Sequence, residues 1–294
     1  MPSARAQAGN RVAEDGRMIE AAPAKINLAL HVVGRREDGF HELDSLVAPA
    51  AVGDRVEVGS AAGLVLDVVP EGAVPTGADN LALRAAMFYG RRVGRGDAAI
   101  RLEKRLPVAA GIGGGSSDAA AVIRALARLW GTPLPPAEAL LPLGADVPVC
   151  LEPQPWRMRG VGERLTPAPL PRFDLVLVNP RRPVPTGAVF RRLARIDNPP
   201  LPPLPRGEGR EEWLGWLART RNDLEPAARA IRPEIGAVIA ALERSGAPLL
   251  VRMSGSGGTV FAIHADKEAA HRAAEAVRAA HPEWWVVATH TLAG

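Results

Sequence analysis

The stretch from Pro107 to Trp130, PVAAGIGGGSSDAAAVIRALARLW, constrains the fold more than any other part of the chain. Gly111, Gly113, Gly114 and Gly115 lead into Ser116, Ser117 and Asp118, and Val122, Ile123, Leu126 and Leu129 follow at helical spacing. A loop this rich in glycine lets a ligand approach the main chain closely. The free N–H groups of the next turn, with the helix dipole, favour an anion there. The plain alternative is a turn that merely joins strand to helix, at a heavy entropic cost. No Gly-Lys-Ser/Thr follows, which excludes a Walker A loop, and Ser116 stands where a Rossmann fingerprint needs its third glycine. The stretch predicts a phosphate cradle over Pro107, Val108, Ala109, Ala110, Gly111, Ile112, Gly113, Gly114, Gly115, Ser116 and Ser117, opening a helix that ends near Trp130.

With 294 residues and 47% hydrophobic side chains, the chain can build two domains with sizeable cores. A single cysteine, Cys150, excludes an internal disulfide framework or a cysteine zinc site and fits a reducing cytoplasm. No apolar run approaches the ~18 residues of a membrane span. A formal charge of +4 from scattered basic residues is that of a solvated surface rather than a nucleic-acid footprint. Lys25, Lys104 and Lys267 are the lysines among 36 basic residues, the rest being arginine. In such a chain a lysine at a special place points to a need for a compact ammonium. Lys267, in the polar run ADKEAA, reads as surface.

Residues 1–17 are polar and aperiodic and read as a disordered tail, without the apolar region of a secretory signal. From Ala22, Ile26, Leu28 and Leu30 alternate with Asn27, Ala29 and His31, a half-buried strand opened by Lys25. Taken alone, Lys25 also fits an edge lysine reaching to water. Further strands are predicted at 46–52, 54–59, 64–69 and 98–104, and a helix from Leu81 to about Arg92 capped at Asp79-Asn80. Asp146 sits in the apolar run LGADVPVCL, so it is either a cap or an acid with a task. Residues 154–172 read as turns, and the proline-rich NPPLPPLPRGEGR (198–210) as an exposed loop or linker. Helices at 211–219, 223–230, 233–245 and 266–280, with strands at 174–178, 248–253, 259–264 and 284–289, give a split βαβ layer of the ferredoxin type. A second glycine loop, Ser254-Gly255-Ser256-Gly257-Gly258, joins two of these strands.

Three stretches together carry a resemblance: PAKINLALHVVGRREDGFHEL, PVAAGIGGGSSDAAA with LGADVPVCL, and MSGSGGTVFAI. They resemble the signature regions of the GHMP small-molecule kinases. Within that superfamily DGFHEL is similar to the branch that phosphorylates the 2-hydroxyl of 4-diphosphocytidyl-2-C-methyl-D-erythritol in non-mevalonate (MEP) isoprenoid biosynthesis. The likeness runs from Ala22 to the C-terminus and takes in Asp79-Asn80-Leu81, Gly160-Val161-Gly162-Glu163 and Asn222-Asp223-Leu224-Glu225-Pro226.

The resemblance implies a two-domain α/β (α+β) fold. A ribosomal-protein-S5-like domain would cover 18–172 and a ferredoxin-like domain 173–294, with ATP along the glycine loop and the substrate in the cleft between domains. It implies Asp146 as catalytic acid/base with Lys25 as its partner. Asn80, Leu81 and Lys104 would lie on the nucleotide side, and Asn27, Phe40, His41, Thr186 and Phe190 on the substrate side. Phe40 and Phe190 would flank the cytosine ring, since each base face is a stacking surface. Mg²⁺ would bridge the phosphates through water, with Ser117 as a candidate ligand. Partners would be ATP and the small-molecule alcohol, with no nucleic acid and no membrane, and the chain would be a monomer or weak homodimer. Two positions depart from the family pattern: Phe40 stands where tyrosine is common, and Val108-Ala109-Ala110 where many members carry more glycine. The rival readings are a homoserine or mevalonate kinase of the same superfamily, whose substrates have no base to stack, and a basic nucleic-acid-binding protein on an S5-like scaffold.

Overall fold

In the computed structural model, which describes residues 11–14 and 16–293, the chain gathers into two compact units. The first comprises Met1–Pro23, Gly53–Leu106 and Gly114–Leu151, and the second Ala24–Val52, Pro107–Gly113 and Glu152–Gly294. This grouping interleaves along the chain, whereas the expected domain boundary was a single cut at 172/173. Two long strands, β2 (Met18–Arg35) and β3 (His41–Gly59), contribute residues to both units. The separate strands expected at 46–52 and 54–59 are one strand because Gly53 does not break it. A Cβ there would overlap Ala22 O and lie 2.6 Å from Pro23 Cα, so the glycine permits a close backbone crossing.

In the first unit, β5 (Ala98–Glu103) pairs antiparallel with β3 from Arg55↔Glu103 to Gly59↔Ala99, and parallel with β4 (Leu64–Val69). Helices α1 (Leu81–Val93) and α2 (Gly114–Trp130) pack with this sheet around Val56, Val58, Tyr89, Ile100, Leu102, Ile123 and Leu126. Asn80 caps α1 as expected, its Oδ1 accepting from Ala82 N at 2.8 Å, an arrangement worth about 1 kcal/mol. A 3-10 turn (Ala137–Leu143) precedes α3 (Val147–Leu151). The expected disordered tail is corrected in its described part. Strand β1 (Arg11–Val12) pairs antiparallel with Ile19 and Met18, and Arg17 Nη1 reaches Glu57 Oε2 at 2.6 Å. Residues 1–10 and 15 lie outside the described residues.

In the second unit, β8 (Asp174–Asn179), β9 (Leu250–Met253), β10 (Val260–His264) and β11 (Trp285–His290) form an antiparallel sheet of order β11-β8-β10-β9. Counted within the unit this is the 4-1-3-2 order of the expected ferredoxin-like layer. Helices α5 (Arg210–Ala218), α6 (Glu225–Ile231) and α7 (Glu234–Arg244) connect β8 to β9, and α8 (Lys267–Ala280) connects β10 to β11. The core holds Val176, Val178, Val238, Leu242, Val260 and Val277. The region expected as turns contains a hairpin, β6 (Trp156–Gly160) and β7 (Arg164–Pro167), with β6 antiparallel to β3 from Leu43↔Gly160 to Val47↔Trp156. A further helix, α4 (Thr186–Arg191), also goes unpredicted.

The proline-rich run is not a free linker. Pro199 O bonds His31 Nδ1 at 2.8 Å, Arg157 donates to Leu201 O and Pro202 O, and Trp216 Nε1 donates to Pro203 O at 2.9 Å. Leu201 is buried, and its N–H donates to Asp44. Among the described residues no helix is long and apolar enough to cross a membrane.

Candidate active site

The predicted phosphate cradle is built by backbone conformation. Ala109, Gly111 and Gly113 take φ of 52°, 71° and 62°, so left-handed residues alternate along Pro107–Gly113. Alternation of this kind turns successive N–H groups into one concavity, an anion nest. Helix α2 begins at Gly114, and the N–H groups of its first turn have no partner within the helix.

The second glycine loop, Ser254–Gly258, braces the first. Thr259 N donates to Ala110 O at 3.0 Å, and Ser254 Oγ donates to Gly111 O at 3.2 Å. A Cβ on Gly111 would overlap Gly257 O, and one on Gly255 would fall 2.6 Å from Gly111 O, so each loop demands glycine of the other. Asn222 Nδ2 donates to Met253 O and Gly255 O, both at 2.8 Å, and Asn179 Nδ2 donates to Thr259 Oγ1 at 3.0 Å. Asn179, Asn222, Ser254 and Thr259 are supports that sequence reasoning did not single out as such. The signal available was the small polar residues alternating with glycine in MSGSGGT.

Lys25 lies against the end of the nest. Its N–H donates to Ile112 O at 2.8 Å, and a Cβ on Gly113 would meet its Cβ and Cε at 3.1 Å. At 6% exposure Lys25 is not an edge lysine reaching to water. Two residues on, Asn27 is fully buried, its N–H donating to Ser254 Oγ at 3.1 Å and its Nδ2 to Ser45 Oγ at 2.8 Å. Asn27 Oδ1 is buried with no hydrogen-bond partner among the described residues and sits 3.3 Å from where a Gly255 Cβ would be. An orphaned acceptor costs roughly 1–3 kcal/mol, which a ligand donor would recover.

Thr186 opens α4 with its Oγ1 2.8 Å from Ser256 Oγ in the second loop. Later in this short helix, Phe190 stacks on His41, ring centroids 4.9 Å apart at 28°. Phe40, expected as the partner of Phe190, is instead 60% exposed, and its N–H donates to Asp38 Oδ1. Burial, helped by Arg35, holds the His41 imidazole below its ordinary pKa, which keeps the ring neutral at pH 7.

In the first unit Lys104 is engaged away from solvent. Its ammonium bonds Asp54 Oδ2 and lies 2.7 Å from Asp118 Oδ2, with all three side chains buried. Asp54 Oδ1 also accepts from Arg105 N and Leu106 N, the residues that enter the glycine loop, while Asp118 sits in the opening of α2 that leaves it. Burial and the like charge of Asp54 push Asp118 up to about 7 against the pull of Lys104. Burial pulls Lys104 down, yet Asp118 and Asp54 outweigh it and its net shift is upward. The triad therefore bolts the loop's entry to its exit.

Asn80 and Leu81 start α1, the Asn80 side chain being shared between Ala82 N and Pro75 O. Asp146 is half-buried and stands immediately before α3. Ser117 is 1% exposed and its Oγ donates to Pro23 O at 2.7 Å, leaving only lone-pair capacity for a metal. No group of three or more His, Cys, Asp or Glu among the described residues could hold a metal ion.

Comparison with known proteins completes the picture. The profile of the GHMP kinases N terminal domain matches residues 80–151, and that of the GHMP kinases C terminal matches 205–283. A curated 4-diphosphocytidyl-2-C-methyl-D-erythritol kinase of Cereibacter sphaeroides is 57% identical over 275 residues, covering 92% of this chain and 98% of that protein. The Ruegeria pomeroyi protein of the same name is 54% identical, covering 91% of this chain and 97% of its own length. Among solved structures, a 4-(cytidine 5'-diphospho)-2C-methyl-D-erythritol kinase superposes with TM-score 0.79 at 40% identity, covering 94% of this chain and all of that one. A homoserine kinase from Cytophaga hutchinsonii, 18% identical with TM-score 0.68 and covering 96% of each chain, shares the fold alone. With its loop of alternating left-handed residues, its paired glycine loops and relatives above half identity, the chain belongs to the 4-diphosphocytidyl-2-C-methyl-D-erythritol kinase family of the GHMP kinases.

Proposed function

We propose that this small-molecule kinase transfers the γ-phosphoryl group of ATP to the 2-hydroxyl of 4-diphosphocytidyl-2-C-methyl-D-erythritol, a step of isoprenoid precursor synthesis. The observation that carries the reading is Lys25, a buried lysine whose stem lies on the last glycine of an anion nest. The triphosphate lies on Pro107–Ser117, with Asn80 and Leu81 on the nucleotide side. Lys104 serves that side indirectly, through Asp54 and Asp118. Asn27 Oδ1 accepts from the substrate, Thr186 and His41 supply polar contacts, and the exposed Phe40 and the ring of Phe190 give the cytosine its apolar surfaces.

In the transfer, the substrate oxygen forms a bond to the γ-phosphorus as the bond to the β,γ-bridging oxygen breaks, and ADP leaves. Asp146 takes the hydroxyl proton, and Lys25 steadies the charge on the attacking oxygen. Mg²⁺, if bound with the triphosphate, would supply charge neutralisation there. The buried Ser117 oxygen does not fit as its main ligand. We place the domains at 18–172 and 173–294, a division supported by the two family matches falling one on each side. The protein works as a monomer or weak homodimer in the cytoplasm.

ATP consumption by the purified protein tests the reading. Turnover should require the cytidylylated alcohol and be negligible with mevalonate or homoserine. Comparable rates with either of those overturn it.

A further inference from the structure

The side chain of Arg124 is placed where nothing in the phosphate chemistry calls for it. It lies midway along α2, is 8% exposed, and spends its guanidinium on two separate segments of the first unit. Nε donates to Glu20 Oε2 at 3.0 Å and Nη2 to Ala21 O at 2.6 Å, both on β2. Nη1 donates to Cys150 O at 3.0 Å and Leu151 O at 3.3 Å, the last carbonyls of α3. Glu20 is fully buried, and its other oxygen accepts from Arg128 Nη1 at 2.8 Å. Near the head of the same helix, Ser117 Oγ ties α2 to β2 a second time at Pro23 O.

Two physical points make this more than filler. A five-residue helix cannot hold its own geometry, since nucleation is unfavourable and its terminal carbonyls lack intrahelical partners. α3 therefore takes its position from what it is fastened to, and a cation at its C-terminal end is the favourable fastening. Second, a buried arginine–carboxylate pair is weak as a source of stability compared with apolar residues of the same volume. What the pair adds is a fixed geometry, because a planar fork bonded to three backbone oxygens and a carboxylate has one orientation.

We infer that Arg124, anchored by Glu20, is a positioning residue for the phosphoryl transfer: it fastens α3, and with it the adjoining Asp146, to the helix that opens from the phosphate nest. The inference rests on the reading of Asp146 as proton acceptor. Arg124 touches neither nucleotide nor alcohol. It sets the distance between the proton acceptor and the first turn of α2, and a misplacement of ~1 Å at a reacting centre can cost on the order of 100-fold in rate.

A double-mutant cycle on the full-length enzyme tests this. Arg124→Met should lower kcat by about ten-fold or more, with KM for ATP within about two-fold of the parent. Arg124→Lys keeps the stem and the charge beside Glu20 but cannot span both carbonyls, and should recover part of the loss. Arg128→Gln, which changes a residue that contacts Glu20 but not α3, should stay near the parent rate. In an Asp146→Asn background the Arg124 substitutions should cost almost nothing further, because the group they position is gone. If Arg124→Met does not fold, Arg124→Lys carries the cycle alone. Normal kcat in the Arg124 variants, or the same fold-loss in both backgrounds, overturns the inference and makes Arg124 a general support. Full turnover by Asp146→Asn alone is a different failure, that of the proton-acceptor reading itself.

Discussion

Replacing Asp118 by asparagine should make the protein more resistant to unfolding, and more so at pH 8 than at pH 5. One ammonium, Lys104, serves two buried carboxylates, and they are not served equally. Asp54 accepts from Lys104, Arg105 N and Leu106 N, whereas Asp118 accepts from Lys104 alone and its Oδ1 is buried without a partner. The carboxylate with fewer donors is the one that holds a proton, in keeping with its rise from 3.8 to about 7 through burial first and then Asp54. A group whose folded pKa is raised gives stability that is full below its unfolded pKa and is lost as pH climbs through the folded value. For Asp118 the window runs from about pH 4 to about pH 7, and the shift is worth on the order of 4 kcal/mol. Asparagine does not titrate and keeps an oxygen for Lys104. Near pH 5 it replaces an acid that is protonated when folded but already ionised when unfolded, and should gain only about 1–2 kcal/mol. At pH 8 it replaces a buried anion and should gain roughly 2–4 kcal/mol relative to its effect at pH 5. Urea unfolding of both proteins at pH 5, 6, 7 and 8 measures this, other titrating groups cancelling in the difference. A stability difference that does not change with pH would refute the argument.

Lys25→Arg should lose most of kcat despite the conserved charge, because the stem packed on Gly113 leaves no room for a planar guanidinium, and Asp146→Asn should lose at least as much. Nucleotide Kd should hardly change in either, and Lys267→Arg, at the exposed start of α8, is the silent control. Gly111→Ala puts a Cβ at φ 71° into Gly257 O and 2.9 Å from Ser254 O, and should raise the ATP Kd by about ten-fold or more in a titration. His264 is buried with neither ring nitrogen bonded, and burial depresses its pKa. Stability linked to it is therefore present above its unfolded value near 6.5 and lost as pH falls, so His264→Leu should flatten the decline in urea midpoint below pH 6.

The elements legible in the sequence were those set by local rules. Asn80 capping α1, the glycine loop opening α2 and the four-strand layer all follow from turn chemistry and hydrophobic period. The β6–β7 hairpin was not legible because the Trp156/Met158 alternation lasts only four residues between Pro155 and Gly160, and the partner of Arg157, Asp44, lies far away in sequence. The prolines of 199–205 looked like a solvated linker. A proline lacks the donor but keeps a carbonyl with two lone pairs, and here those carbonyls serve His31, Arg157 and Trp216. In the site, the lysine bias marked Lys25 and Lys104 correctly as unusual. It gave no means of separating them, since Asp54 and Asp118, which claim Lys104, lie 50 and 14 residues away in the chain.

The interleaving of the two compact units bears on how the protein is made. The chain passes from one unit to the other five times, and the first is complete at Leu151 while the second ends at Gly294. Ala24–Val52 must therefore wait for partners synthesised more than a hundred residues after it, such as β6, which pairs with Leu43–Val47. The segment's two runs 24–32 and 44–50 are buried in the finished protein and rich in Ile, Leu, Val and Ala. During synthesis the segment stands as a β2–β3 hairpin with its apolar side chains uncovered, the kind of species that chaperones hold and that aggregates recruit. Its long-range closure makes the folding of the second unit a late event.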